Sequence, residues 1–156
     1  MTESYLISSA VEGDLSGIKE LALMLSEEID GSAQADIRII KKNVRKLFKN
    51  ADAHFIVARS SSTVIGFVNF TVRKTILHES GSALIDELIV LEKYRGQGLG
   101  KDLLSEVVKH CRDLGCCELE VSTLMRNQTA RDFYRKCGFE EEAVLLEIDL
   151  SSFATT

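Results

Sequence analysis

Three glycines at alternate positions form the most distinctive chemical feature of the sequence: Gly96, Gly98 and Gly100. Glycine lets the backbone approach a ligand closely. The amphipathic pattern that follows predicts a helix, whose first turn offers unpaired N–H groups and a positive dipole end. Lys93, Arg95 and Lys101 add three positive charges to this segment. The segment therefore predicts a binding site for a phosphate or pyrophosphate.

The glycine segment is also compatible with a tight turn between a strand and a helix that binds nothing. It lacks the P-loop pattern G-x-x-x-x-G-K-[ST]. It also departs from the dinucleotide-binding pattern G-x-G-x-x-G in its last spacing, and it lies past the middle of the chain rather than in a first βα unit. A phosphate would therefore be held in a different way.

Two adjacent carboxylates, Asp86 and Glu87, interrupt the otherwise apolar run Leu84–Val90 just before the glycines. Burying a carboxylate without a partner is costly, so each is expected to reach a cleft, water or a cation. Because successive side chains of a strand point to opposite faces, we predict that the two do not share one role. The alternative to a functional role is an ion pair with a neighbouring lysine or arginine.

The elements that would position these residues alternate between strand and helix patterns. Their predicted order is β-α-α-β-β-β-α-β-α-β, a mixed α/β (α+β) fold. The strands are predicted at Tyr5–Val11, His54–Arg59, Val64–Val72, Ser82–Leu91, Glu118–Leu124 and Ala143–Leu150. The helices are predicted after Asp14, around Ile37–Phe48, from Leu99 to Leu114 and over Thr129–Cys137, with Gly138 in a left-handed position after the last.

Length and composition predict a single globular domain over residues 1–156. Hydrophobic residues make up 45% and charged residues 28%, which excludes a disordered, collagen-like or coiled-coil chain. The net charge of −5 disfavours a nucleic-acid partner.

There is no long apolar run for a membrane span and no evident signal peptide, so we expect a cytoplasmic protein. The cysteines have no metal-ligand spacing, so we expect reduced thiols and no metal: Cys111, Cys116, Cys117 and Cys137.

Two motifs carry a resemblance to a known family. Arg95-Gly96-Gln97-Gly98-Leu99-Gly100 matches the [RQ]-x-x-G-x-[GA] acyl-CoA signature of the GNAT superfamily of N-acetyltransferases. Downstream, Asn127-x-x-Ala130-x-x-Phe133-Tyr134-x-x-x-Gly138-Phe139 resembles the second main motif of that superfamily. The resemblance implies a central mixed sheet of six to seven strands flanked by about four helices.

The resemblance also implies a site for acetyl-CoA. The backbone of Leu88, Ile89 and Val90 would pair with the pantetheine arm. Asn127 would help hold the cofactor, and Tyr134 would lie near the sulfur. The pyrophosphate would be held by the N–H groups of one continuous segment: Arg95, Gly96, Gln97, Gly98, Leu99, Gly100 and Lys101.

The reaction that the resemblance implies is transfer of an acetyl group from acetyl-CoA to an amine, either a small polyamine-like amine or a protein amine. Tyr134 would protonate the leaving thiolate, and Glu87 or Asp86 would take the proton of the amine, directly or through water. The acidic pair resembles the arrangement in superfamily members that acetylate polyamines and diamines. Glu118 and Glu120 are weaker candidates, and no direct base is needed if the amine enters neutral. The acidic run Glu27–Asp30 could attract a cationic acceptor, although such a run is more often a solvated helix end.

Other readings stay open at this stage. The chain could be an inactive domain of the same fold that binds acyl-CoA as a sensor or structural ligand, or an unrelated nucleotide-phosphate-binding protein. Seventeen residues follow Phe139, enough for one clear strand where many superfamily members have two. Either Phe139–Glu141 is a very short sixth strand, or the usual seventh is lost. A homodimer is plausible because an exposed sheet edge invites pairing.

Overall fold

A computed structural model describes residues 4–30, 37–76 and 78–151, without the side chains of Ile29 and Asp30. The described residues form two compact units, one up to Val121 and one from Ser122, and each is described by itself. The predicted loop Asp30–Ala35 falls mostly outside the described residues. The assignment of residues 1–156 to one domain stays a prediction.

A mixed sheet forms the frame of the first unit. Its five described strands are β1 (Leu6–Ser9), β2 (Ala53–Ser60), β3 (Thr63–Arg73), β4 (Gly81–Val90) and β5 (Cys116–Val121), and they lie side by side in that order. The first four pair antiparallel, and β5 joins β4 in parallel. The valine, isoleucine and phenylalanine content of β2 and β3 suits a sheet buried on both faces.

Helices cover both faces of this sheet. Helices α1 (Leu15–Asp30) and α2 (Ile37–Phe48) contribute to one core cluster: Ile18, Leu21, Val44, Phe55, Val57, Val64, Phe67 and Ile89. Helix α3 (Leu99–Asp113) packs on the other face, where its Leu103 lies over Gly66, the β3 residue before Phe67. A Cβ at Gly66 would lie 3.0 Å from the Ile89 carbonyl oxygen and 3.2 Å from a Leu103 methyl group, so the glycine lets strand and helix approach closely. No helix of the described residues is both long and apolar enough to span a bilayer.

The second unit contains helix α4 (Gln128–Lys136) and the segment that follows it. The Asn127 side chain caps this helix, accepting a hydrogen bond from the Ala130 N–H at 3.1 Å. Gly138 follows with φ +100°, which confirms the predicted left-handed position after the helix. Arg131 and Arg135 both pair with Glu142, tying the helix to the segment beyond it.

The expected strand count is wrong for the described residues, although the mixed α/β fold is confirmed. The predicted strand Ala143–Leu150 has no regular structure, and neither has Phe139–Glu141. Within Ala143–Leu150, five apolar side chains are more than half exposed: Val144, Leu145, Leu146, Ile148 and Leu150. Alternating apolar residues suit a strand, but a strand also needs a hydrogen-bonded neighbour. No neighbouring strand pairs with this segment within the part of the chain that the structure describes.

Candidate functional site

Among the described strands, none pairs with the last part of β4 along its β5-side edge. The ladder between β4 and β5 ends at the pair Ile85 and Val121, because β5 ends there, while β4 continues to Val90. Peptide groups on the free edge of a strand can pair with an extended ligand as if it were another strand. The predicted cofactor strand, Leu88–Val90, lies within this free stretch.

The glycine segment leads from the end of β4 into α3. Gly96 and Gly98 have φ angles of +72° and +93°, a region that favours glycine. Apart from the adjacent residues, a Cβ at either position would meet no atom of the described chain within 4 Å. No side chain caps α3, and the first helical hydrogen bond runs from the Asp102 N–H to the Gly98 carbonyl. The N–H groups of Leu99–Lys101 precede this bond and so have no partner within the helix, which is the arrangement that binds a phosphate at a helix start.

The three predicted cations of this segment have different environments. The Arg95 Nε donates to the Val90 carbonyl at 2.8 Å, and its guanidinium pairs with Glu28 at the end of α1 at 2.5 Å. Arg95 therefore fixes the loop against β4 and α1. The Lys93 ammonium lies 4.7 Å from the centre of the Tyr94 ring. Among the described residues, no ion pair involves Lys101, on the first turn of α3.

A β-bulge brings the two predicted carboxylates to one face of the sheet. Asn69 of β3 pairs with Glu87 and Phe70 pairs with Ile85, so Asp86 is an extra residue in β4. The Asn69 side chain donates to Glu87 at 2.7 Å, and the Thr71 hydroxyl donates to Asp86 at 2.6 Å. Because Asn69 and Thr71 are two residues apart, their side chains share a face. The expectation of opposite faces for Asp86 and Glu87 is therefore wrong, since strict alternation fails at a bulge.

The surroundings of Glu87 favour its protonated form. Burial raises the pKa of the Glu87 carboxyl above its ordinary value, the hydrogen bond from Asn69 opposes this, and the charge of Asp86 raises it further. Asp86 is exposed. A carboxylate whose pKa is raised toward neutral pH is a better proton acceptor than an ordinary one.

The other acidic candidates are engaged in ion pairs. Glu118 lies 2.9 Å from the His78 Nε2, and Glu120 contacts Arg73 and the buried Ser82 hydroxyl. Both carboxylates therefore already have side-chain partners, unlike a base that must face an incoming amine. Glu28, from the acidic run Glu27–Asp30, pairs with Arg95, and the side chain of Asp30 lies outside the described residues.

Asn127 and Tyr134 belong to the second unit. The Oδ1 atom of Asn127 is used to cap α4, as described above. Tyr134 makes T-shaped ring contacts with Phe133 and Phe139, at 5.2 and 5.3 Å between centroids. Burial, with a smaller contribution from Cys137, raises the pKa of the Tyr134 phenol to about 12. The phenol is therefore protonated at neutral pH, as a proton donor must be.

Sequence reasoning did not single out Asn69. It is 1% exposed in the middle of β3, and its Oδ1 has no hydrogen-bond partner among the described residues. The available signal was a single amide in the apolar run Val64–Val72. The structure thus brings Asp86, Glu87 and Asn69 together, next to the free edge of β4. No group of three or more potential metal ligands occurs within the described ranges.

Comparison with known proteins identifies relatives of the chain. The sequence profile of a family described as "Acetyltransferase (GNAT) family" matches residues 21–139. An aminoalkylphosphonate N-acetyltransferase from Salmonella typhimurium is 28% identical over 90 residues, covering 58% of each chain. A thialysine N-epsilon-acetyltransferase from Sus scrofa is 26% identical over 144 residues, covering 86% of this chain and 84% of the relative. The alignments of the first relatives span less than two thirds of those proteins' lengths.

A solved structure shows the same fold. The aminoglycoside N-acetyltransferase AAC(6')-Iy in complex with CoA superposes with a TM-score of 0.81 at 18% identity, covering 96% of this chain and 97% of that one. At this identity the likeness concerns the fold alone.

Proposed function

Because the chain belongs to the GNAT family of acetyltransferases, we propose that it transfers the acetyl group of acetyl-CoA to a primary amine by direct attack in a ternary complex. The observation that carries the proposal is the continuity of three features along β4. The bulge presents Asp86 and Glu87 on one face, the free edge follows at Leu88–Val90, and the glycine segment with its two left-handed glycines comes next.

The residues present suit acetyl-CoA, which supplies the acetyl group as a thioester. The N–H groups from Gly96 to Lys101 would hold the pyrophosphate, because the backbone at Gly96 and Gly98 carries no side chain that would keep a phosphate away. The Arg95 N–H, which was predicted to join them, already donates to the Glu92 carbonyl at 3.0 Å. The free edge of Leu88–Val90 would hold the pantetheine arm, and a backbone N–H there would stabilise the developing oxyanion. Asn127 and Tyr134 keep the cofactor roles predicted for them.

The proton balance assigns roles to three side chains. An alkylamine is mostly protonated at neutral pH and must lose a proton before it attacks. Glu87 would take this proton, with Asp86 attracting the charged amine from its exposed position. Tyr134 would protonate the thiolate that leaves. The names of two relatives, an aminoalkylphosphonate and a thialysine acetyltransferase, and of the aminoglycoside acetyltransferase with the same fold support a small-molecule amine as acceptor. A cytoplasmic location and a homodimer remain predictions.

The test is release of free CoA from acetyl-CoA in the presence of a panel of amines, followed with a thiol reagent. Glu87→Gln is expected to lower kcat by roughly 10²- to 10⁴-fold, the usual range for a general base. Glu120→Gln is the matched control, because Glu120 lies on the neighbouring strand but is paired with Arg73. Comparable losses in both variants would remove Glu87 from the mechanism.

The same experiment separates the enzyme from an inactive acyl-CoA-binding domain of the same fold. That domain would gain thermal stability from acetyl-CoA without releasing CoA with any amine. Ligand at about 100 times its Kd adds about 2.7 kcal/mol of stability, which a thermal-shift assay detects. Stabilisation by ATP or NAD but not by acetyl-CoA would contradict both readings.

A further inference from the structure

Asn69 occupies a position where an apolar side chain would be expected. Phe55 pairs with it on β2, and Phe67 precedes it by two residues on β3. Both phenylalanines belong to the apolar core. The amide is 1% exposed, and within the described residues its Oδ1 has no hydrogen-bond partner. A buried polar atom without a partner destabilises the fold, so its presence needs an explanation.

The other half of the same amide supplies that explanation. The Asn69 Nδ2 donates to the Glu87 Oε2 at 2.7 Å, a short bond to a charged acceptor. Asn69 lies within the ladder between β2 and β4, so its position is fixed on both sides. Glu87 follows the bulge residue Asp86, where the regular alternation of the strand is lost and the backbone alone fixes a side chain less well.

From this geometry we propose that Asn69 is a positioning residue, which holds the Glu87 carboxylate toward the acceptor amine and favours its ionised, proton-accepting form. This inference rests on the proposed function for its role in catalysis. Its physical part, the control of Glu87 by Asn69, stands on the hydrogen bond alone. The orphaned Oδ1 is then the cost of placing a donor beside Glu87 inside an apolar core.

The charges around Glu87 determine the sign of the expected effect. The charged side chain that acts on it is Asp86, whose negative charge opposes ionisation, as burial also does. Asn69 is the group that favours the charged form, because an N–H donor stabilises a carboxylate. Loss of this donor therefore raises the pKa of Glu87 and moves the acidic limb of the pH profile to higher pH.

The test compares Asn69→Leu and Asn69→Asp with the wild type. Leucine removes the N–H donor and has as many side-chain heavy atoms as asparagine. Aspartate keeps the shape of asparagine, and it serves as the second variant if the leucine variant does not fold. A hydrogen bond to a charged group corresponds to a change of roughly 10- to 100-fold in rate, so we expect kcat/KM for the amine to fall by that factor below neutral pH. The acidic limb should move to higher pH, with the affinity for CoA unchanged.

Two further measurements distinguish positioning from a structural role. In a Glu87→Gln background, Asn69→Leu should cause no further loss of kcat, because its effect acts through the carboxylate. Ser82→Ala is the matched control. Ser82 is also buried and donates to a carboxylate, Glu120, so this change should lower stability and leave the pH profile unmoved.

An NMR titration of the Glu87 carboxyl carbon makes the result independent of catalysis. An upward shift of its pKa in the Asn69 variants supports the inference even if no amine is acetylated, in which case only the proposed function fails. An unshifted titration would overturn the inference. So would an Asn69→Leu change that lowers kcat by the same factor in the wild type and in the Glu87→Gln background.

Discussion

Replacing Gly98 with alanine separates the stability of the glycine segment from its ability to bind a ligand. Gly98 has φ +93° directly before α3, and a left-handed conformation costs an ordinary residue roughly 1–2 kcal/mol. The added methyl group meets no atom within 4 Å, so no clash increases this cost. Since 1 kcal/mol lowers Tm by about 2–4 °C in a domain of this size, the expected loss is roughly 2–8 °C.

Gly115 provides the matched control. It has φ +75° just beyond the C-terminal end of α3, and a Cβ there also meets no atom within 4 Å. Gly115→Ala should therefore lose about as much stability as Gly98→Ala. Only Gly98→Ala places a methyl group in the glycine segment, where we propose that the phosphates bind.

Calorimetric titration with CoA is the deciding measurement. We expect Kd to rise about tenfold or more for Gly98→Ala, a loss of at least about 1.4 kcal/mol of binding free energy, and to stay unchanged for Gly115→Ala. If both variants lose similar stability and both bind CoA as the wild type does, the glycine segment does not hold the pyrophosphate.

Two other substitutions test separate parts of the chain. Tyr134→Phe should lower kcat much more than it weakens CoA binding, because it removes the proton that the leaving thiolate would take; equal kcat values for variant and wild type would exclude Tyr134 from the mechanism. Asp14→Asn should lower the free energy of unfolding by about 3 kcal/mol at pH 7, because it leaves the partly buried Arg59 without its ion-pair partner. The Arg59 hydrogen bond lowers the pKa of Asp14, so this stability is present above about pH 4 and is lost as pH falls through the folded-state pKa. Urea titrations at pH 7 and pH 3 measure the difference, and equal loss at both pH values would contradict this origin.

Local pattern was sufficient to predict most elements of the first unit. The helical spacing of Leu99, Leu103 and Leu104 predicts α3, and its buried residues follow that pattern. The hairpin of β2 and β3 follows from two apolar runs separated by Ser60–Thr63. These features depend on residues within a few positions of one another, which is the range that periodicity reports.

The segment Ala143–Leu150 shows where local pattern was not sufficient. Its run of apolar residues predicts a strand, as the apolar run of β2 does. A strand, however, is completed by a neighbour elsewhere in the chain, and the pattern of one segment does not specify that neighbour. The same reason explains why Asn69 was missed, because its significance depends on Glu87, eighteen residues away on another strand.

The bulge at Asp86 connects the candidate base to the proposed cofactor site. An extended ligand whose phosphates lie at the glycine segment and whose arm follows β4 backward along Leu88–Val90 reaches Glu87 at its far end. Glu87 and Val90 are three residue steps apart along the strand, a distance of about 10 Å. In the proposed arrangement the thioester, and not the phosphates, would lie next to the two carboxylates. Without the bulge, Asp86 and Glu87 would point to opposite faces of β4. The extra residue therefore determines whether an amine entering from one face meets one carboxylate or both.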